Sequence, residues 1–334
     1  MIRFALVLLT LAATTIVARA QEDFYRGKQI FLRVASSAGS GYDLAARLTG
    51  QHWGKHIPGN PSIVVQNVPG AGGITLMNQL SYTAPKDGTV LGLVTNGMPT
   101  APLLMPDQAR FDISKFAWIG SNAAETQIIM LWHTAPALTI EGLSKVESIV
   151  GTTTTGVAIY DMPIMLNALA GTKFKVVSGY EGTAQIDLAA ERGEVHGQVG
   201  IGWVSAKTRN LQQINDRKLV LVAQFGVKKH PDLAHVPLFP LPQDEIARQA
   251  MQMMFSRQEY GRPILAPPGT PPERLTMLRN AYIAMTKDPD FRMEAGRSGL
   301  EINPVTGAQL DALTVDILKT KPEAVARLRA ILTP

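Results

Sequence analysis

The sequence predicts an α/β protein of two domains with mostly parallel sheets. From residue 21 onward, short apolar runs of strand length alternate with segments of helical periodicity, which is the pattern of α/β units. Several of these runs end in turns rich in glycine and hydroxyl side chains, directly before a helical segment. About 314 residues follow an N-terminal export signal, which is more than one compact core usually contains, so two domains are expected.

The first twenty residues have the pattern of a secretory signal peptide. Arg3 precedes an uncharged run over residues 4–17, and an A-x-A motif ends at Ala20, so we expect cleavage after Ala20. No later stretch approaches about eighteen uninterrupted apolar residues, the length that spans a bilayer. The chain has no cysteine, which excludes a lipid-anchoring cysteine, disulfides and thiolate metal sites. These features predict a freely diffusing periplasmic protein without a cofactor.

The charge distribution argues against a nucleic-acid partner. Removal of Arg3 and Arg19 with the signal peptide lowers the formal net charge from +5 to +3. Basic and acidic residues are interspersed along the rest of the chain, without a block of like charge. We therefore expect no nucleic acid among the partners.

The first half of the exported chain predicts three strands, with a glycine-rich turn after each of the first two. The strands are expected at 30–34, 63–65 and 90–94, and the turns at 36–43 and 67–73. A helix follows each turn, and the first of them begins at Leu44 and stops near His56. The predicted apolar helix faces comprise Leu44, Ala45, Leu48, His52 and Trp53 in the first helix, and Ile74, Met77, Leu80 and Tyr82 in the second.

The ends of these strands form a candidate binding site. Ligands of open α/β sheets bind outside the carboxyl ends of the strands, and here the three ends carry small or polar residues. The turn at 36–43 also precedes a helix, whose first N–H groups are unpaired and carry partial positive charge, so the turn suits an anion. The alternative is a tight connection in which Asp43 only stabilises the first helical turn.

A second set of α/β elements begins near residue 128. Strands are expected at 128–132, 146–150, 174–177 and 219–225, and the turn at 151–156 again joins a strand to a helix through hydroxyl-rich residues. The helix after residue 182 is expected to have an apolar face of Ala184, Ile186, Leu188 and Ala189. The proline-rich segment 232–242 is predicted to be a surface excursion, and helical patterns at 273–286, 290–299 and 306–332 end the chain.

A metal site is disfavoured by the histidine pattern. His52 and His56 lie four residues apart, but Trp53 stands where the zinc-protease motif has glutamate. The other histidines form no ligand spacing. The methionines at 251, 253 and 254 are predicted to fill a helix core rather than a cofactor site.

Nucleotide binding and serine hydrolysis also lack their motifs. A dinucleotide fingerprint would need a third glycine where Leu44 stands. A nucleophile elbow at Ser40 would need glycine at Ala38. A secreted hydrolase using Ser37 or Ser40 would need a histidine and an acid brought to the same place, and it is kept as an alternative.

Six motifs in consecutive order resemble one known family, the solute-binding proteins of tripartite tricarboxylate transporters, also called Bug proteins. The resemblance covers nearly the whole exported chain. Its motifs are AGSGYDLAARL at 38–48, NVPGAGG at 67–73, APKDG at 84–88, TNG at 95–97, LAAERGE at 188–194 and LAPPGTP at 265–271.

The resemblance implies a type II periplasmic binding-protein fold, in which two α/β domains joined by two crossovers close over a ligand. It implies a first domain at 22–121 plus 260–334, a second at 122–259, and hinges near Gly120 and Tyr260. The cargo would be a small carboxylate that a non-enzymatic receptor delivers to the permease subunits of a tripartite transporter. We expect a monomer. The alternative receptor is a sensor of a carboxylate or amino acid that signals to a membrane kinase.

On that model, backbone amides near residues 38–41 hold one carboxylate and those near 152–156 hold the other end of the ligand. Charge-assisted hydrogen bonds contribute roughly 1.5–3 kcal/mol each, so four of them suffice for micromolar affinity without an arginine. The predicted ligand-binding residues are Ser37, Ala38, Gly39, Ser40, Gly41, Asp43, Asn96, Gly97, Thr152, Thr153, Thr154, Thr155, Gly156, Tyr180 and Trp203.

The chain departs from the family pattern at both turns. Serines at 36 and 37 stand where the family commonly has Phe-Pro, Ser40 interrupts a glycine triplet, and no histidine follows Gly156. Glu181 stands where the family commonly has lysine. A carboxylate facing the ligand would disfavour a simple dianion and favour a ligand with a donor group, whereas a solvent-facing Glu181 would leave the preference unchanged.

Overall fold

The computed structural model describes residues 24–153, 157–226 and 228–332. The predicted signal peptide and three predicted site residues, Thr154, Thr155 and Gly156, lie outside them. The chain forms two compact units. Unit 1 comprises the chain up to Met98, Arg110–Asn122 and Arg262–Asp311. Unit 2 comprises Pro99–Ala109, Ala123–Gly261 and the chain from Ala312 onward.

The strands and helices follow the alternating order that the sequence predicts. The strands are β1 (Gln29–Val34), β2 (Ser62–Asn67), β3 (Val90–Leu93), β4 (Ala117–Ser121), β5 (Gln127–Trp132), β6 (Ser148–Gly151), β7 (Phe174–Val177), β8 (Gly197–Gly202), β9 (Leu219–Gln224), β10 (Pro263–Ala266) and β11 (Val305–Thr306). The α-helices are α1 (Gly41–Trp53), α2 (Ile74–Tyr82), α3 (Ala101–Leu104), α4 (Ile140–Leu143), α5 (Ala158–Ala170), α6 (Thr183–Glu191), α7 (Trp203–Asn215), α8 (Glu245–Ser256), α9 (Pro272–Lys287), α10 (Pro289–Arg297), α11 (Gly307–Leu318) and α12 (Pro322–Leu332).

The sheet of unit 1 has the strand order β11-β4-β10-β3-β1-β2. β1 pairs with β2 and β3 in parallel, whereas β10 pairs with β3 and β4 antiparallel. The expectation of mostly parallel sheets is therefore wrong, because β10 returns from a distant part of the chain and enters this sheet in the opposite direction. As a result, the amino end of β10 lies at the same edge as the carboxyl ends of β1, β2 and β3.

The core of unit 1 forms where alternate residues of β1 meet α1. Ile30, Leu32 and Val34 are fully buried, and the ring of Trp53 packs edge-on against Tyr282 with centroids 5.5 Å apart. Burial of such a side chain contributes roughly 1.5–3 kcal/mol. Leu44 lies outside this core with 43% of its surface exposed, contrary to prediction, because the buried face of α1 is centred on Ala45, Leu48 and His52, and Leu44 lies at its edge.

The second predicted helix also differs at its end. Ile74, Met77 and Leu80 are buried as expected, but Tyr82 is 65% exposed. It is the last residue of α2, and its hydroxyl donates a hydrogen bond to the Arg110 carbonyl. An amphipathic tyrosine at a helix end can cover the surface while its polar tip finds a backbone partner, which periodicity alone does not reveal.

The sheet of unit 2 has the order β7-β6-β8-β5-β9 and is also mixed. β6 pairs in parallel with β7 and β8, and β5 pairs antiparallel with β8 and β9. β6 begins at Ser148, two residues later than predicted, and Val146 is exposed. The buried face of α6 comprises Ile186, Ala189 and Ala190. Ala184 and Leu188, assigned to that face from the sequence, are exposed.

The proline-rich segment 232–242 is only in part a surface excursion: residues 232, 234, 235, 237 and 240 are exposed, but three apolar side chains between them are buried. Leu233, Val236 and Phe239 are buried, and the Gln224 side-chain amide donates to the Leu233 and Val236 carbonyls at 2.7 Å each. The prolines limit regular hydrogen bonding here, so a buried glutamine supplies donors that a strand or helix would otherwise provide.

The C-terminal helical pattern at 306–332 is interrupted. It forms α11 and α12, with Pro322 in the first turn of α12, where its missing N–H is not needed. The methionines at 251, 253 and 254 are buried in α8, as predicted for core residues. None of the helices in the described ranges is long and apolar enough to cross a membrane.

Candidate functional site

The turn at 36–43 in unit 1 is shaped by local hydrogen bonds. Ser40 caps α1, and its Oγ accepts from the Asp43 N–H at 3.2 Å while lying 2.7 Å from Ser36 Oγ. Gly39 has φ +80°, a left-handed conformation that favours glycine. The small residues of this turn therefore serve its backbone geometry, as the sequence predicted.

The side chain of Asp43 makes hydrogen bonds within the protein and holds this turn together, instead of presenting its carboxylate to a ligand. Its side chain is buried, and Oδ2 accepts from the Gly39 N–H at 2.8 Å and from Arg47 Nε at 3.0 Å. Oδ1 accepts from Asn67 Nδ2 at 2.8 Å. The hydrogen bond from Arg47, with those from Gly39 and Asn67, lowers the pKa of Asp43 to about 2. Both carboxylate oxygens are thus occupied, and Asp43 holds the turn against the end of β2.

These bonds decide which backbone amides remain available to a ligand. The Gly39 N–H is used by Asp43, and the Ser40 N–H makes a long bond of 3.4 Å to the Ser37 carbonyl. The N–H groups of Ala38 and Gly41 have no acceptor within the described part of the chain. Ser37, Ala38 and Gly41 are exposed, so an anion can approach these two amides.

The ends of β2 and β3 support the same turn. Asn67, which the sequence analysis did not assign to the site, donates from Nδ2 to the Ser36 carbonyl at 3.0 Å. The Asn96 N–H donates to the Tyr42 hydroxyl at 3.3 Å. Asn96 is half-buried and Gly97 is buried. The structure therefore brings the three predicted strand ends together at one edge of the unit 1 sheet.

Arg262 also lies at this edge and was missed from the sequence. Its Nη2 is 3.8 Å from the position that a Cβ on Gly41 would take, and its Cζ is 6.0 Å from the centroid of the Tyr42 ring. Its only sequence signal is a cation directly before an apolar run. The sequence rule for open α/β sheets points to strand ends as ligand sites, and Arg262 stands before the start of a strand.

In unit 2, the predicted turn after β6 is described as far as Thr153. Thr152 is fully buried; its N–H donates to the Val177 carbonyl at 2.8 Å, and its carbonyl accepts from the Tyr180 N–H at 3.3 Å. Thr152 Oγ1 has no hydrogen-bond partner among the described residues. The structure thus places Thr152 and Tyr180 together. Burial raises the pKa of the Tyr180 hydroxyl, with a smaller effect of Glu194, so Tyr180 is a neutral donor.

Trp203 is the first residue of α7 and lies in the core of unit 2. Its Nε1 donates to Asp232 Oδ2 at 3.3 Å, and Lys207 Nζ lies 2.5 Å from the same oxygen. The ring borders a groove of about 710 Å³ along α7 and β9. The indole N–H of Trp203 is therefore already hydrogen-bonded to Asp232.

Two carboxylates of unit 2 are Glu181, which bears on the ligand preference discussed above, and Glu125. Glu181 is exposed, and its Oε2 accepts from Gln185 Nε2 at 2.9 Å while its own N–H donates to Gln185 Oε1 at 2.8 Å. This reciprocal pair ties Glu181 to the start of α6. Glu125, not singled out from the sequence, lies beside Gly202, where an added Cβ would be 2.6 Å from its Oε1.

The histidines make structural contacts. His52 Nε2 lies 2.7 Å from Glu294 Oε2, and His56 Nε2 lies 3.0 Å from Asp288 Oδ2. Across the described ranges, no group of three or more histidine, aspartate or glutamate side chains could hold a metal ion. The hydrogen bonds of the Ser40 hydroxyl go to Ser36 and Asp43, so its contacts do not support the hydrolase alternative.

The chain matches no protein-family model and no curated protein sequence. It is similar to solved structures over nearly its full length. A TctC solute-binding protein from Polaromonas is 18% identical with a TM-score of 0.69, covering 92% of this chain and 98% of its own. The periplasmic binding protein BugD is 22% identical with a TM-score of 0.61, covering 92% and 99%. Rpa4515 from R. palustris, solved with adipate, is 19% identical with a TM-score of 0.62, covering 91% and 98%.

These similarities confirm the fold expected from the sequence motifs. At such identities they establish the architecture and not the ligand. The chain has the fold of the TctC and BugD periplasmic solute-binding proteins.

Proposed function

We propose that this chain is a periplasmic receptor that captures a small organic acid and delivers it to the permease of a tripartite tricarboxylate-type transporter. The observation that carries the proposal is the turn at 36–43, in which Ala38 and Gly41 are exposed residues whose N–H groups have no acceptor among the described residues, and whose shape is held by Asp43. Preorganised amides at a helix start suit a carboxylate. The similarity to TctC, and to a structure that contains adipate, supports the same ligand class.

The proposed binding site and the proposed domains are those predicted from the sequence. The acid is bound without chemical conversion by residues of the two predicted domains, 22–121 plus 260–334 and 122–259, which close by hinge motion. Given the contacts above, we assign Asp43 and Ser40 to shaping the turn, and Ala38 and Gly41 to direct binding. The other predicted binding residues remain part of the proposal: Ser37, Gly39, Asn96, Gly97, Thr152, Thr153, Thr154, Thr155, Gly156, Tyr180 and Trp203.

A thermal-shift screen tests the ligand class. Purified protein, unfolded and refolded to remove co-purified ligand, is heated with straight-chain and hydroxylated di- and tricarboxylates and with amino acids. An acid at about one hundred times its Kd adds about 2.7 kcal/mol of stability, which raises the Tm by roughly 4 °C for a chain of this length. A panel in which no acid raises the Tm would contradict the proposal.

Glycine variants test the turn itself. Gly41 has no positive φ, so alanine fits its backbone, whereas valine places branched methyl groups beside the Gly41 N–H. We expect Gly41→Val to abolish the acid-induced rise in Tm, with Gly41→Ala retaining part of it. Gly39→Val should abolish it too, with a strain cost of about 1–2 kcal/mol at φ +80°. Normal acid binding by Gly41→Val would assign the turn a structural role only.

A further inference from the structure

We propose that Arg262 binds a carboxylate of the ligand directly and sets the receptor's preference for acids over neutral analogues. This inference rests on the proposed function and adds a residue to it. The sequence-based account used backbone amides alone and needed no arginine. The geometry of unit 1 instead points to a guanidinium beside those amides.

The fold fixes the backbone of Arg262 at the site edge. The residue directly precedes β10, which runs antiparallel to β3. The Val94 N–H donates to the Pro263 carbonyl at 3.1 Å, and the Arg262 N–H donates to Ser121 Oγ at 3.0 Å. Arg262 is therefore attached to the ends of both β3 and β4, at the carboxyl edge where the turn at 36–43 also lies.

The side chain of Arg262 extends towards that turn. Its Nη2 lies 3.8 Å from the position of a Cβ on Gly41, an exposed residue whose N–H has no acceptor within the described ranges. The Tyr42 ring lies 6.0 Å from Cζ, at the outer limit of a cation–π contact, and the Asn96 N–H donates to its hydroxyl. Tyr42 is thereby held by a neighbouring strand end and restricts where the guanidinium can lie.

The chemistry of this arrangement selects for a carboxylate. A guanidinium is always charged and presents parallel N–H groups that match the two oxygens of a carboxylate, which an ammonium does not. Arg262 is half-buried, so its charge is less screened than that of an exposed arginine. An acid that reaches the Gly41 amide would meet the guanidinium beside it, whereas an amide analogue would gain no charge interaction.

The test compares Arg262→Gln and Arg262→Lys with wild type and with Arg26→Gln. Arg26 is an exposed arginine of the same unit that precedes β1 at the opposite, amino end of the sheet, so its substitution makes the same charge change elsewhere. Isothermal titration with succinate, glutarate and adipate, and with their diamides, measures affinity. A parallel urea titration measures folding of each variant without ligand.

We expect Arg262→Gln to weaken dicarboxylate binding by about 10- to 100-fold, the range for a lost charge-assisted bond, and to reduce discrimination between acid and diamide. Arg262→Lys should bind with intermediate affinity, and Arg26→Gln should bind as wild type does. Wild-type affinity and discrimination in Arg262→Gln would overturn this inference and leave the proposed function intact. Absence of acid binding by the wild type would overturn both. Arg262→Gln could be unfolded, in which case Arg262→Lys becomes the decisive variant. If Arg262→Lys is folded and binds dicarboxylates with wild-type affinity, the proposed contact between guanidinium and carboxylate would be overturned.

Discussion

Replacing Asp43 by alanine is expected to lower the free energy of unfolding by about 3 kcal/mol and to abolish acid binding. The buried carboxylate accepts hydrogen bonds from Gly39, Arg47 and Asn67, and hydrogen bonds to a charged group contribute roughly 1.5–3 kcal/mol each. Water that enters the vacated space recovers part of the total. Without the carboxylate, the Gly39 amide loses its acceptor and the turn at 36–43 loses its shape.

Urea unfolding of Asp43→Ala measures the stability loss, and Asp112→Ala is the matched control. Asp112 also accepts from a backbone N–H and caps a short helix, with bonds from Ser114 at 3.1 Å and 2.6 Å, but its side chain is half-exposed. Exposed caps contribute about 1 kcal/mol. Equal losses in the two variants would show that the bonds of Asp43 have no special role.

The pH dependence of Asp43 gives an independent measurement. Its pKa is about 2 in the folded protein, below the ordinary value of 3.8. A carboxyl whose pKa is lowered by folding stabilises the native state above the unfolded pKa, and this contribution is lost as the pH falls through the folded pKa. We expect wild type to lose stability between about pH 5 and 2, and Asp43→Asn to have a shallower slope there. Parallel slopes would contradict the assigned hydrogen bonds.

Replacing Gly151 by valine is expected to destabilise unit 2 by about 2 kcal/mol and to displace Tyr180. A Cβ at Gly151 would lie 2.6 Å from Ile186 Cγ2 and 3.1 Å from Tyr180 Cε2. Ile186 is fully buried and cannot move without opening the core, and overpacking costs roughly 1–3 kcal/mol. Because Tyr180 is a proposed ligand donor, acid affinity should fall as well.

The control for Gly151→Val is Gly182→Val in the same unit. Gly182 has extended backbone, and among the described residues no heavy atom lies within 4 Å of its Cβ position. Glycine is preferred to valine at a helix N-cap, so its substitution should cost about 0.5–1 kcal/mol, without the overpacking expected for Gly151→Val. Urea titration and the near-ultraviolet tyrosine signal measure both effects. If the urea midpoint of Gly151→Val equals that of wild type, the side chains of Ile186 and Tyr180 can move aside at little cost in free energy, which would contradict the prediction.

The pattern of apolar residues along the chain predicted most of the strands and helices, but it assigned some exposed side chains to the core. Every strand expected at 30–34, 63–65, 90–94, 128–132, 174–177 and 219–225 is present, because short runs of β-branched and other apolar residues favour strands whether these are fully buried, as in β3, or only partly buried, as in β2. The errors at Leu44, Tyr82 and Leu188 are all exposed apolar side chains. Single apolar residues at the surface are common, so periodicity cannot distinguish them from core residues.

Some features of the candidate site could be predicted from the sequence, and others could not. The turn at 36–43 could be predicted because its glycines, hydroxyls and following helix are consecutive in the chain. The role of Asp43 was open, since its hydrogen bond from Asn67 joins the first turn of α1 to the end of β2, 24 residues further along the chain. The direction of β10 could not be inferred, because the orientation of a returning strand depends on which neighbours it pairs with.

The sequence by itself determined the alternation of strands and helices, the glycine-rich strand ends and the resemblance to periplasmic solute-binding proteins, because each of these is encoded by neighbouring residues. Only the tertiary structure decided which amides of the turn remain available, where Glu181 points and that Arg262 lies beside Gly41. The first two outcomes depend on which of several possible hydrogen bonds form between residues four positions apart, a choice that the sequence pattern leaves open. The third depends on the pairing of strands that are far apart in the chain, for which a single sequence carries no local signal.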